Sequence, residues 1–155
     1  MNTKTLSLLF LKRDESILLA MKKRGFGKGR WNGVGGKVED GETIEAAMIR
    51  ETQEEIGVTP TAYRQVGDIR FDEFFKNEPT LMHVHVFIAT EWTGEPTETE
   101  EMAPQWFAID DIPYAQMWSD DIYWLPQILD GKNITADFKL NEHDVILSHD
   151  VKEVA

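Results

Sequence analysis

Three glutamates, Glu51, Glu54 and Glu55, stand within one short stretch, and Arg50 immediately precedes them. On a helix, at about 100° per residue, Glu51 and Glu55 lie one turn apart with Glu54 beside them, all inside an arc of roughly 100°. Like charges at this spacing cost a helix a few tenths of a kcal/mol per pair, and partial burial adds to that cost. A divalent cation removes the conflict. Carboxylates on adjacent turns suit a hard ion, and Mg²⁺ accepts a few of them while keeping waters and substrate phosphate oxygens, with Mn²⁺ as a substitute. Zn²⁺ is less suited, because neither a thiolate nor a histidine pair joins the set. Arg50, at i, i+4 from Glu54, is spaced to orient a carboxylate by hydrogen bonding. For an isolated run of this kind, the competing reading is a solvated face with ordinary ion pairs.

A helix is expected over Thr43 to Ile56 to carry these residues. The segment lacks Gly and Pro, its start is acidic (Glu42, Glu45), and Gly57 follows as a stop signal. Ile44, Ala47, Met48, Thr52 and Ile56 share its core-facing arc. Before it, Leu6 to Leu11 and Ile17 to Met21 read as a hairpin about the polar Lys12–Glu15 turn. A basic, glycine-punctuated loop (Lys22 to Arg30) and a short strand (Trp31 to Val34) follow, ending at Gly35-Gly36. Gly33, Gly35 and Gly36 let the chain turn tightly ahead of the helix. After it, strands are expected over Tyr63 to Phe75 and Leu81 to Thr90, joined by a turn at Asn77-Glu78-Pro79. Further strands are expected over Gln105 to Ala108, Ile134 to Leu140 and Val145 to Ser148. Asp120 to Leu129 reads as a second helix with Ser119 or Asp120 as its N-cap. Strands on both sides of a helix with hairpin-length connections define an α+β, mixed-sheet sandwich.

The 155 residues show no linker, repeat or low-complexity tract, so one domain over 1–155 is expected. A net charge of -12 disfavours nucleic acid polymers and anionic membranes as partners, since both reward a basic surface. The absence of cysteine excludes disulfides and thiolate metal sites and agrees with a cytoplasmic protein. The short apolar run near the N-terminus is too brief to span a membrane and reads as a strand. A small phosphate compound is the partner that remains, and the chain is expected to act as a monomer.

From Gly36 through Glu42, Arg50-Glu51, Glu54-Glu55 and Gly57-Val58, the segment resembles the Nudix hydrolase signature G-x5-E-x7-R-E-U-x-E-E-x-G-U, where U is a bulky aliphatic residue. Thr52 departs from it at a packing position. The resemblance implies an α/β/α sandwich around a mixed sheet and Mg²⁺-assisted attack of water on a nucleoside diphosphate derivative. It implies that Glu51, Glu54 and Glu55 hold metal, that Arg50 positions the carboxylates, and that Gly36 supplies a backbone carbonyl ligand. Glu101, in a later acidic loop, is a candidate further ligand or base. Glu54 and Glu55 remain alternatives for the general base.

Much of the remaining chain resembles one branch of that family, the oxidised purine nucleoside triphosphatases. The runs Met21–Gly27, Arg30–Gly33, Leu81-Met82, Val84–Phe87, Glu101-Met102, Trp106-Phe107, Met117-Trp118, Asp120-Asp121 and Tyr123-Trp124 carry that likeness. It implies a base pocket in which Asn32, Asp120 and Asp121 read the purine edge and Trp118 stacks. Phe26, Phe71 and Met82 would be apolar walls, Ser7 would line the pocket where a threonine is expected, and Lys22 would face pocket or phosphates. Two adjacent carboxylates in an apolar pocket cannot both ionise cheaply, so one is expected to stay protonated and donate while the other accepts. Exchange of that proton would let one pocket read oxidised guanine and oxidised adenine. The segment Arg70 to Asn77 differs in length from the branch pattern. His83 and His85 are read as structural. The rival readings are a Nudix hydrolase of ADP-ribose or a dinucleoside polyphosphate, and a non-catalytic nucleotide sensor. The purine-reading set argues against the first, and the intact metal cluster against the second.

Overall fold

The computed structural model describes residues 2–154. The strands are β1 (Asn2–Arg13), β2 (Ser16–Lys22), β3 (Trp31–Asn32), β4 (Thr59–Phe75), β5 (Glu78–Thr93), β6 (Met102–Ala108), β7 (Asn133–Leu140) and β8 (Ile146–Val154). The helices are α1 (Ile44–Ile56) and α2 (Asp121–Leu129). The sheet runs β3-β2-β1-β5-β4-β7-β8, with β6 paired to β2. It is mixed: β1 lies parallel to β5 and β4 parallel to β7, while the other pairs are antiparallel.

Strand alternation divides the interior in two. Leu9, Leu11, Phe87 and Ala89 pack with Met48 and Ile56 of α1. Phe10, Met82, Val86 and Ile88 pack with Trp124, Leu125 and Ile128 of α2. One helix on each face of a mixed sheet is the expected α/β/α sandwich. Among the described residues, no helix is long and apolar enough to cross a membrane.

The β1–β2 hairpin splays almost at once. Its register holds only at Lys12↔Ile17 and Arg13↔Ser16. Past those pairs that edge of β2 takes β3, while β6 runs along its other edge from Ser16 to Lys22, and the freed edge of β1 is taken by the glycine-rich segment 34–38. Leu9 N–H donates to the Val34 carbonyl at 2.6 Å, Ser7 N–H to Gly36 at 2.9 Å, and Val38 N–H to Thr5 at 2.9 Å. The edge groups of β1 are thereby satisfied, and the segment is anchored as the approach to α1.

Both ends of α1 follow their sequence signals. Thr43 Oγ1 accepts from Ala46 N–H at 3.1 Å, and Gly57 adopts the left-handed conformation, φ 73°. Thr52 is fully buried, with its hydroxyl donating to the Met48 carbonyl at 2.7 Å, so the departure from the signature is absorbed inside the helix. The turn expected at Asn77-Glu78-Pro79 falls earlier. Lys76 and Asn77 both have positive φ, which closes a two-residue hairpin between Phe75 and Glu78. Pro79 therefore lies within β5, just beyond the last β1 partner at Thr80.

Candidate active site

α1 presents its glutamates to segment 35–36 in three different environments. Glu55 is 4% exposed and accepts the Gly35 N–H at 2.8 Å. Burial pushes its carboxyl up to about 7, against that bond and the Lys22 charge, while Glu51 and Glu101 push it further up. Glu51 is also raised by burial, opposed by its hydrogen bond to Arg50. Glu54 is exposed.

Arg50 organises the set. Its Nε and one terminal nitrogen grip both oxygens of Glu42 at 2.7 and 3.0 Å. The same nitrogen reaches the Lys37 carbonyl at 3.2 Å, and the other reaches Glu51 at 2.8 Å and Glu54 at 3.4 Å. Those bonds use every guanidinium N–H. The paired cation holds the Glu42 carboxyl down at about 2. Lysine has a single nitrogen and no planar fork, so Arg50→Lys is expected to lower kcat about 100-fold or more while leaving a folded protein. Steady-state rates with thermal melting check this; unchanged kcat would mean the network is dispensable.

Gly36 gives the cluster room. A Cβ there would lie 2.5 Å from Glu51 Cδ. Its carbonyl accepts from Ser7 N–H at 2.9 Å and, weakly, from Ser7 Oγ at 3.4 Å, so it is already engaged by β1. Glu101 is turned to Arg24, whose Nε donates to it at 3.0 Å, and that ion pair holds its carboxyl below the usual range. Lys22 lies close enough to Glu51, Glu55 and Glu101 to favour the charged form of all three.

On the α2 face, Asp120 and Asp121 are 7% and 2% exposed. Asp120 Oδ2 accepts from Trp124 Nε1 at 2.8 Å. Asp120 stands at the N-cap position of α2, as expected, but its side chain makes no capping bond and the carboxylate faces inward. Burial raises both carboxyls, Asp121 the more because the Asp120 charge adds to it. Asp121 Oδ2 is a buried oxygen with no partner. Phe26 stacks on Trp118 at 5.0 Å and meets Phe75 edge-on at 5.3 Å, while the Arg30 guanidinium sits 4.2 Å from the Trp118 ring. The indole expected to receive a base already bears two side chains of one loop, so loop and base compete for it. Met82 is 5% exposed, and Phe71 stacks on Phe138 at 5.3 Å as part of the core.

One expected pocket residue, Ser7, stands apart. Ser7 pairs with His85 and shares the α1-side parity of Leu9, whereas Met82 lies on the α2 side. Its hydroxyl supports Gly36, which corrects its expected place in the pocket wall. Asn32 Oδ1 accepts from Gly33 N–H at 2.8 Å, leaving its amide donors available, and among the described residues it makes no bond to the acid pair.

One residue on the pocket face escaped the sequence reading. β4 alternation sets Glu73 between Phe71 and Phe75, opposite the buried Thr80. Burial and the charges of Asp120 and Asp144 lift its carboxyl to about 7, and it has no hydrogen-bond or ion-pair partner among the described residues. The signal was a lone acid at strand period between two aromatics.

A helix that lays Glu51 and the buried Glu55 against a glycine segment, on a mixed sheet between two helices, agrees with membership of the Nudix family, whose NUDIX domain profile matches residues 1–128. It is a Nudix hydrolase. The chain is 50% identical over 152 residues to the oxidized purine nucleoside triphosphate hydrolase of Danio rerio, covering 98% of this chain and 96% of that one. It is 49% identical over 148 residues to the protein of the same name from Mus musculus, covering 96% and 94%. The MutT protein from Bacillus halodurans is similar in structure, with a TM-score of 0.83, 24% identity and coverage of 96% and 97%. At that identity, the likeness speaks to fold alone.

Nudix hydrolases use a divalent metal ion. The donor set here fits one. Glu51 and Glu55 are oxygen donors whose ionisation the protein environment opposes until a cation is supplied, and Gly36 keeps the space beside Glu51 clear.

Proposed function

We propose that this enzyme hydrolyses 8-oxo-dGTP and related oxidised purine nucleoside triphosphates to the monophosphate and pyrophosphate, as a monomeric cytoplasmic protein of one domain over residues 1–155. The observation that carries the reading is the buried Asp120–Asp121 pair with its unpartnered oxygen, which a ligand with complementary donors and acceptors would satisfy. The names of the two half-identical relatives support it.

Glu51, Glu54 and Glu55 would hold Mg²⁺, which supplies charge neutralisation and an acidified water. Arg50 fixes Glu51 and Glu54, Lys22 offsets the local negative charge, and Gly35 N–H steers Glu55. Asp120 and Asp121 read the purine edge with the amide of Asn32, while Trp118 and Phe26 receive the ring face and Met82 closes the wall. Pyrophosphate release from a panel of normal and oxidised dNTPs, with and without Mg²⁺, tests this. Oxidised purines should turn over fastest and only with the ion; equal rates across the panel, or activity confined to ADP-ribose, would overturn it.

Glu73 adds a third acid to that face. Replacing Glu73 by Leu should change the 8-oxo-dGTP to dGTP ratio of kcat/KM by about tenfold, the worth of one buried hydrogen bond, while Gln should keep the ratio near that of the native enzyme. Identical ratios in both variants would remove Glu73 from base recognition.

Gly36→Ala should cost turnover through Glu51. The added methyl must push that carboxylate aside, so kcat should fall at least about 100-fold, as expected when a reacting group is displaced by roughly 1 Å. Full activity in this variant would show that Glu51 has slack.

A further inference from the structure

Away from the glutamate helix, Asp68, His83 and His85 bring three ligand atoms within 4.8 Å of one another, and among the described residues this is the only such group of three. Glu51 is engaged by Arg50 and Glu55 by the Gly35 N–H, and among the described residues the group of three donors that meets at this spacing is not the glutamate set.

The sheet explains the convergence. Asp68 pairs with His85 across β4 and β5, and His83 is two residues along the same strand, so all three share one face. The imidazole centroids are 4.3 Å apart, and His83 Nε2 lies 2.6 Å from Asp68 Oδ1. Gln65 Nε2 lies 3.1 Å from the Gly67 carbonyl and 2.9 Å from His85 Nδ1. An amide nitrogen can only donate, so this nitrogen of His85 is unprotonated with its lone pair directed at Gln65, and it must leave that bond to hold an ion. Burial, His83 and Arg70 all favour the neutral His85 ring, and Asp68 alone opposes them. Asp68 and His83 remain partly open to solvent, at 33% and 23%.

We propose that Asp68, His83 and His85 form a second cation site, of the two-imidazole, one-carboxylate type, which takes Zn²⁺ or a similar borderline transition ion rather than Mg²⁺. Imidazole nitrogen suits such ions, whereas Mg²⁺ selects oxygen. Bonds of about 2.0–2.1 Å need donors roughly 3.3 Å apart, so the Asp68–His83 contact must open slightly and His85 must swing inward by about 1 Å. For His83 Nε2 to bind, the hydrogen it shares with Asp68 must move to the other ring nitrogen, so the ring enters as the neutral tautomer and protons compete with the ion. Arg70, paired with His83 across the strands, carries a charge that opposes the ion. The ion would clamp the β4–β5 hairpin, and because His85 pairs with Ser7, it would sit one strand from Gly36.

Zn²⁺ titration by calorimetry, with millimolar Mg²⁺ present to hold the glutamate cluster, tests the site. The intact protein should bind one Zn²⁺ tightly, and the imidazole ¹⁵N resonances of His83 and His85 should both shift on saturation. Asp68→Asn and His83→Gln change partly exposed side chains, and each should weaken binding about tenfold or more while leaving Mg²⁺-supported hydrolysis unchanged. Unmoved ring resonances in the intact protein, or equal Zn²⁺ affinity in both variants, would overturn the assignment.

Discussion

Glu55→Gln is expected to lower kcat by roughly 10²–10⁴-fold while leaving nucleotide affinity within a few-fold, the scale of losing one group that handles a proton or an ion in the transition state. The same change should stabilise the metal-free protein. Burial raises the Glu55 carboxyl to about 7 from 4.5, so across that interval the folded chain keeps a proton that the unfolded chain has released. Stability from this group is therefore complete below the unfolded value and is lost as pH rises through about 7, an effect of about 3 kcal/mol. Glutamine is neutral at every pH, and its carbonyl oxygen can still accept the Gly35 N–H. In chelator at pH 8 the variant should melt several degrees above the native protein, with the difference vanishing near pH 4.5. Undiminished turnover would remove Glu55 from the chemistry, and a lower melting point at pH 8 would contradict the burial argument.

Asp121→Asn is expected to cost roughly 10–100-fold in kcat/KM for 8-oxo-dGTP, the worth of about 1.5–3 kcal/mol for a buried bond involving a charged partner. Asp120 and Asp121 share a dry site in which burial opposes ionisation of both. An oxidised guanine presents a carbonyl acceptor at its six-position where an oxidised adenine presents an amine donor. The proton must therefore be arranged differently for each. An amide at position 121 cannot titrate, so the ratio of kcat/KM for the two bases should become flat with pH, whereas the native ratio should vary. Asp120→Asn is the companion variant, since an amide can still offer oxygen to Trp124 Nε1–H. A native ratio that is itself independent of pH would show that proton exchange plays no part in base choice.

Helix α1 was legible residue by residue. Thr43, Gly57 and the apolar arc through Met48 and Ile56 set its ends and orientation, because local capping and 3.6-residue periodicity act within a few residues. Features decided between distant segments were not. Both faces of β1 are apolar, so its pattern could not say that Ser7 looks toward α1 and away from the pocket. β8 continues to Val154, well past the expected Ser148, with most of its residues exposed; backbone pairing to β7 sustains it where side-chain pattern is silent. Pro79 resembled a turn residue, yet Lys76 and Asn77 bear the left-handed conformation. Glu73 was passed over because an acid between aromatics looks like surface until the partner strand is known.

The early parting of β1 from β2 makes β1 a wall common to two chambers. Its odd residues, Thr5, Ser7 and Leu9, stand on the side where segment 34–38 and α1 assemble the carboxylates. Its even residues, Lys4, Leu6 and Leu8, stand with Met82 and Val84, on the side of the acid pair. One residue inserted in this strand would exchange the two sets, placing polar support where the pocket needs grease and the reverse. On the proposed assignment, phosphate chemistry and base choice are thus tied to one register, and evolution can retune either chamber by side chain but not by changing the length of the partition between them.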